Sequence, residues 1–341
     1  MEARPIPYAI TDQQAITRLT ALWALNESGL GGLLFGLGLP VTGFLVGGFA
    51  VILIGLIAWY SNRSYKDILQ AMFLVLMVKA AVSPHSPPPA YLAVLFQGFA
   101  GALVYSSIRS FKIASIVLAV LAMAESALQK ILIVTLIFGG NIWKAINTAA
   151  GQLFATGNNN FSWWLIGFYL LLYVFWGFLI GRFTARLPAL IHRNASPVME
   201  QYQREQYQFE LLRTKEKPGA GKYLKWLWLS VILLFILVVF YTSHGVDRPG
   251  IVHVLLRTMA AVLLLFFVLQ PLVNRLLRNW LQKRSRPAAA SIRETMLQLP
   301  ALKALVQPAY RMARQNSSAY GSFKQFILIM IVVSLYSPHR E

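Results

Sequence analysis

Basic residues alternate with apolar runs along this chain, and the alternation sorts the connections between runs into two sets. Nine apolar stretches are present, at residues 19–39, 41–60, 68–82, 91–107, 113–138, 163–181, 226–241, 254–273 and 320–336. One set of connections carries Arg4 and Arg18, then Arg63 and Lys66, then Arg109 and Lys112, and then two long basic segments at 182–225 and 275–324. The other set holds only Lys144, Arg248 and Arg340, while Lys79, Lys130 and Arg257 fall inside apolar stretches. Such asymmetry is the positive-inside pattern of a polytopic membrane protein. It predicts an all-α transmembrane helical bundle of about nine helices, with the N-terminus cytoplasmic, the C-terminus outside and basic cytoplasmic helices. A run of about 20 residues suffices to cross a roughly 30 Å hydrocarbon core.

Composition supports that class. Hydrophobic residues make up 57% of the 341 and charged residues 13%, unlike a soluble globular domain. The net charge of +19 faces mostly one side, so anionic lipid headgroups are the expected partner and nucleic acid is not. There are no cysteines, which excludes disulfides and thiolate metal sites. None of the five histidines has ligand spacing with another or with a carboxylate, so neither a metal nor a cofactor is expected. No His-Glu-x-x-His, Gly-x-Ser-x-Gly or Walker A pattern occurs, and no enzymatic arrangement is expected. The first apolar run is too long for a signal sequence and is expected to stay as a helix.

Three parts are predicted: a six-helix membrane domain over 1–185, a cytoplasmic helical linker over 186–225, and a membrane region with basic helices over 226–341. Thr11 and Gln14 have capping-box spacing ahead of the first span. A short surface helix is expected around residues 143–154, and Trp163, Trp164 and Trp176 suit interface anchors of the sixth span. Pro287, Pro300 and Pro308 are expected to break the basic region into short helices. Lys324 weakens the ninth span.

Polar groups at membrane depth are costly and therefore informative. Asn26 and Glu27 sit within the first span, Lys79 in the third, Gln97 in the fourth, and Glu125, Gln129 and Lys130 in the fifth. Glu125 and Gln129 share a helix face at spacing i, i+4. These residues, with His85 in the proline-rich turn, form a candidate polar pocket for a small molecule. The competing reading is interhelical pairing of Glu27 or Glu125 with Lys79 or Lys130. The glycines at 29, 31, 32, 36 and 38, and at 43, 47 and 48, are expected to let the first hairpin pack closely.

The run from Ala21 to Gly32 (ALWALNESGLGG), the turn Ser83-Pro84-His85 and the run Ala124 to Lys130 (AESALQK) resemble a bacterial membrane family. They are similar to the substrate-binding, or S, components of energy-coupling-factor (ECF) vitamin transporters, over the first six helices only. That resemblance implies a vitamin or metabolite bound in the first six helices, location in a bacterial cytoplasmic (inner) membrane, and a separate coupling subunit or ATPase as partner. It places Ala15, Ala21 and Ala24 nearest to the helix face that meets a coupling subunit. Ala313-Arg314-Gln315 partly matches the Ala-Arg-Gly motif of coupling subunits, which makes Arg311, Ala313 and Arg314 candidate partner-binding residues. Two functions are therefore expected from different classes: a small-molecule uptake component, or a non-transporting scaffold that recruits a cytoplasmic partner or anionic lipid.

Overall fold

The computed structural model describes residues 10–36, 42–83, 86–154, 160–212, 270–315 and 319–337. Every regular element among them is helical: α1 (Asp12–Leu25), a π-helical turn (Asn26–Leu30), α2 (Gly31–Gly36), α3 (Thr42–Tyr60), α4 (Tyr65–Val82), α5 (Pro88–Ser107), α6 (Phe111–Phe138), α7 (Asn141–Phe154), α8 (Phe161–Leu212), α9 (Gln270–Gln315) and α10 (Ala319–Tyr336). The seventh span lies outside the described residues, as does the eighth apart from 270–273. The helices α1, α4 and α6 start where short polar side chains take up orphan N–H groups. The capping box forms as its spacing predicts: Gln14 N–H donates to Thr11 Oγ1 at 3.3 Å, and Thr11 N–H to Gln14 Oε1 at 3.2 Å. Ser64 Oγ and Ser110 Oγ accept from the Asp67 and Ile113 N–H groups at the starts of α4 and α6, without a reciprocal bond.

Segments of α3, α5, α6 and α8 are long and apolar enough to cross a membrane. The π turn interrupts the first span, and Lys66, Asp67 and Lys79 lower the hydropathy of α4; these two elements are sheltered by their neighbours instead. Trp23, Leu19, Val75 and Val78 are fully buried, and α1 packs on α3 and α4 while α4 packs on α5. Lipid-type exposure falls elsewhere. Trp163, Trp164 and Phe168 of α8 are exposed, as are Leu128, Leu132 and Leu136 of α6.

The most extensive helix pair is α6 with α8, and glycine explains its closeness. A Cβ on Gly181 would sit 2.5 Å from the Ile116 Cα, and one on Gly177 would sit 2.7 Å from the Ala119 carbonyl oxygen. Backbone therefore meets backbone across a Gly-x-x-x-Gly face. The glycines of the first hairpin also face close neighbours: Gly31 lies against Val46, while Gly43 and Gly47 lie against Ser126.

The connections at the basic end touch one another. The Arg63 guanidinium donates to the Arg109 carbonyl, joining the α3–α4 and α5–α6 connections. Asn62 and Arg63 make the first of these turns in the left-handed region, with φ of 51° and 63°. Asparagine tolerates that conformation better than most residues.

Three features mark the C-terminal half, and the unbroken α9 departs from the short helices expected there. First, α8 does not end with its span. It runs for 52 residues through Pro188 and Pro197, so the boundary expected at 185/186 falls inside a continuous helix about 78 Å long. Leu187, Ile191, Ala195, Met199 and Tyr202 are buried at spacings of four, four, four and three, which makes one helical stripe. The prolines lose hydrogen bonds, but burial of this stripe against α9 and α10 holds the helix together. Second, α9 is one helix of 46 residues through Pro287, Pro300 and Pro308, with Leu302, Leu305, Ala309 and Met312 facing the core.

Third, α10 runs back along the bundle from the far end of α8 to the start of α1 and the end of α3. Gln315, just before α10, donates to Glu205 at 3.1 Å. Glu205 lies 24 residues past Gly181, about 36 Å further along α8. At the other end of α10, Arg18 Nη1 donates to the carbonyls of Leu335 at 2.5 Å and Ser337 at 3.1 Å, and Tyr336 is hydrogen-bonded with Tyr60 at the end of α3. The helix thus climbs about 27 Å toward the basic end of the bundle, and residue 337 lies on the same side as Asp12. Its apolar run is explained by protein burial: Ile331, Val332, Val333 and Leu335 are fully enclosed.

Candidate functional site

The π turn at Asn26–Leu30 sets the geometry of the polar cluster. Ser28 donates its hydroxyl to the Ala24 carbonyl at 2.5 Å, a back-bond that competes with the helical ladder. The wider turn that results carries Asn26, Glu27 and Ser28 into the interior, all three buried. π-turns inside α-helices occur often at functional positions.

Glu27 meets Lys79. Lys79 Nζ lies 2.7 Å from Glu27 Oε2, with the two side chains only 3% and 6% exposed. The same ammonium donates to the Ala90 carbonyl at 3.2 Å and lies 5.8 Å from the centre of the Tyr91 ring. The pair ties the π turn to α4 and, through the Ala90 carbonyl, to the start of α5. For these two residues, interhelical pairing is what the structure contains.

The other polar groups are not closed off in this way. Asn26 donates Nδ2 to the Val46 carbonyl of α3 at 2.9 Å, and its buried Oδ1 has no partner. Gln97, only 2% exposed, points from α5 toward the same turn of α3. Its Nε2 lies 3.2 Å from where a Cβ on Gly47 would be, and its buried Oε1 has no partner. Glu125 of α6 is half-buried and its Oε2 is likewise unpartnered. Gln129 is satisfied through Nε2 to the Pro89 carbonyl at 3.0 Å, so the face it shares with Glu125 is turned toward the start of α5. Lys130 is half-buried on the same helix. His85 lies outside the described residues.

Three buried, unpartnered groups were not singled out from the sequence: Trp23, and on α9 and α10 Gln298 and Ser334. The Trp23 Nε1 is fully enclosed and unpartnered, one helical turn before Asn26. Its spacing of three from Asn26 was the available signal. Most buried polar atoms have a partner, so orphans within one apolar bundle require an explanation. Among the described residues, no group of three or more His, Asp or Glu side chains could hold a metal ion.

The second candidate set divides. Arg311 and Arg314 are exposed on α9 beside a cleft of about 660 Å³, lined also by Val306, Gln307, Tyr310 and Gln315. Ala313 is 2% exposed and faces the core, so it cannot itself touch a partner. Ala15, Ala21 and Ala24 are fully buried within the chain, on a helix that packs against α3, α4, α9 and α10.

Fold and apolar spans together define an all-α integral membrane protein. No known protein family, curated protein or solved structure matches the chain.

Proposed function

We propose that the helices up to about residue 185 form the substrate-binding unit of an uptake transporter for a small metabolite or vitamin-like molecule, resembling an ECF S component. The carrying observation is the set of buried, unpartnered polar atoms on Trp23, Asn26, Gln97 and Glu125. An apolar bundle that leaves such groups without partners gains stability when a ligand supplies them. In this reading Glu27 and Lys79 shape the site as a neutralised pair and do not grip the ligand. The basic residues at one end of the bundle support a cytoplasmic placement of that end; a bacterial inner membrane is part of the proposal through the family resemblance alone. Energy comes from a separate ATPase or from an ion gradient. The test is native mass spectrometry of the purified full-length protein, with uptake assays in cells. A small molecule retained by the wild type and lost from Gln97→Leu supports the reading; wild-type protein that carries none and moves none removes it.

A second reading has its own observation. Exposed Arg311 and Arg314 flank a cleft with exposed Val306 and Tyr310, a mix of charge and apolar surface suited to a cytoplasmic partner or anionic lipid. A scaffold of this kind co-purifies with a protein or lipid and with no metabolite.

A further inference from the structure

We propose that the cleft near the C-terminal end of α9 docks an acidic segment of a soluble protein, and not anionic lipid. The proposal deepens the recruiting reading above and rests on the cytoplasmic placement of the basic end. Distance from the membrane decides between the two occupants. Gly181 of α8 packs on Ile116, five residues into α6, so it lies about 8 Å inside the basic end. Glu205, about 36 Å further along α8, then stands about 28 Å outside that end. The second helix agrees: α10 covers about 27 Å between the Gln315–Glu205 contact and its contacts with Arg18 and Tyr60. Because α8 continues its own span without a break, this part of the chain projects from the bundle. Even at a tilt of about 45° Arg314 stands about 19 Å out. The cleft runs back along α9 to Val306, whose level is still about 14 Å out along the helix line. Headgroups add only about 5–8 Å beyond the hydrocarbon, and physiological salt screens charge beyond about 8 Å. Lipid phosphates are out of reach.

The surface itself states the chemistry of a partner in water. Residues 295–337 carry Lys303, Arg311, Arg314 and Lys324 and no Asp or Glu. Two of these, Arg311 and Arg314, line the cleft, and Glu205 accepts from Gln315 at its edge at 3.1 Å. The apolar part is Val306 and Tyr310. Tyr310 is 56% exposed, yet its ring meets Phe326 of α10 edge-on with centroids 6.4 Å apart. A ring already held in place loses little freedom when a partner covers it. Tyrosine and arginine are also the side chains that most often carry interface energy. A volume of about 660 Å³ takes a few side chains. The complement is a short stretch with an apolar side chain set against Tyr310 and carboxylates on either side of it, since guanidinium groups pair with carboxylates in a two-pronged geometry.

The experiment replaces Gln307 of the full chain by the photo-crosslinker benzoylphenylalanine, irradiates the cells that make it, and identifies the attached segment by fragmentation. The expected adduct is a polypeptide segment with net negative charge. Its yield should fall about tenfold or more when Arg311→Glu and Arg314→Glu are combined, because like charges then face each other. Arg193→Glu, an exposed charge elsewhere on α8, should leave the yield within about twofold of the parent, a change of under one hydrogen bond. Should the double reversal not fold, Arg314→Gln removes one charge and should lower the yield in the same direction. A neutral or basic segment, or a yield indifferent to the charge of Arg314, overturns the proposal. A phospholipid adduct also overturns it, while leaving the recruiting reading intact. No adduct of either kind overturns both.

Discussion

Removing Lys79 isolates the carboxylate of Glu27 in the interior. The pair is 2.7 Å apart, its side chains are 3% and 6% exposed, and Lys79 also satisfies the Ala90 carbonyl. Truncating one member of a buried pair leaves an uncompensated charge and costs about 3–5 kcal/mol, whereas replacing both by apolar groups of similar size is often neutral. Lys79→Met is therefore expected to destabilise the protein by about 3–5 kcal/mol. Glu27→Met with Lys79→Met together should recover most of that loss, because no charge remains to be stranded. The assay is reversible unfolding in mixed micelles for wild type, both single variants and the double variant, closed as a double-mutant cycle. Coupling of several kcal/mol is the expected sign of a direct pair. A double variant whose loss equals the sum of the singles refutes the reasoning, since it means each residue acts through other contacts.

Packing and topology give further expectations. Gly181→Ala forces a Cβ to 2.5 Å from the Ile116 backbone and should cost about 1–3 kcal/mol by thermal melting, while Gly167→Ala, with nothing within 4 Å, should be neutral or slightly stabilising. Met199→Ala empties a fully buried position on the lower stripe of α8 and should cost about 2–5 kcal/mol, read as loosened protection of α9 and α10 in hydrogen exchange. Arg18→Met removes the donor to Leu335 and Ser337 and should speed exchange at the end of α10 with less effect on α6. The chain has no cysteine, so single-cysteine labelling can test the topology directly. Ser337→Cys and Asn62→Cys should react from the same side of the membrane and Asn160→Cys from the other; labelling of Ser337→Cys from the opposite side refutes the placement of α10.

Much of the bundle was legible from one-dimensional pattern because its causes are local. Apolar run length, the proline-rich turn and the Thr11–Gln14 box act within a few residues of themselves. Basic residues mark the ends of helices for a similarly local reason, since a charge in hydrocarbon is expensive wherever the chain goes next. The same cost picked out Asn26, Glu27, Lys79, Gln97 and Glu125 as buried-polar candidates. It could not pair them. Whether Glu27 meets Lys79 or Lys130 depends on which helices become neighbours, and the wider π turn at Asn26–Leu30 alters the register that a regular helix implies.

The sequence by itself determined that this is a helical membrane protein and which end of the first bundle carries the charge, because transfer of each segment out of water is nearly additive along the chain. Only tertiary structure decided that Ile331, Val332, Val333 and Leu335 of α10 are enclosed by neighbouring helices, that α8 and α9 run unbroken through their prolines, and that Lys79 cancels Glu27 while Asn26, Gln97 and Glu125 keep unmatched oxygens. An apolar stretch gains from leaving water whatever covers it. A hydrogen bond needs a named partner at the right distance, and distant stretches of chain supply that partner only once they have packed.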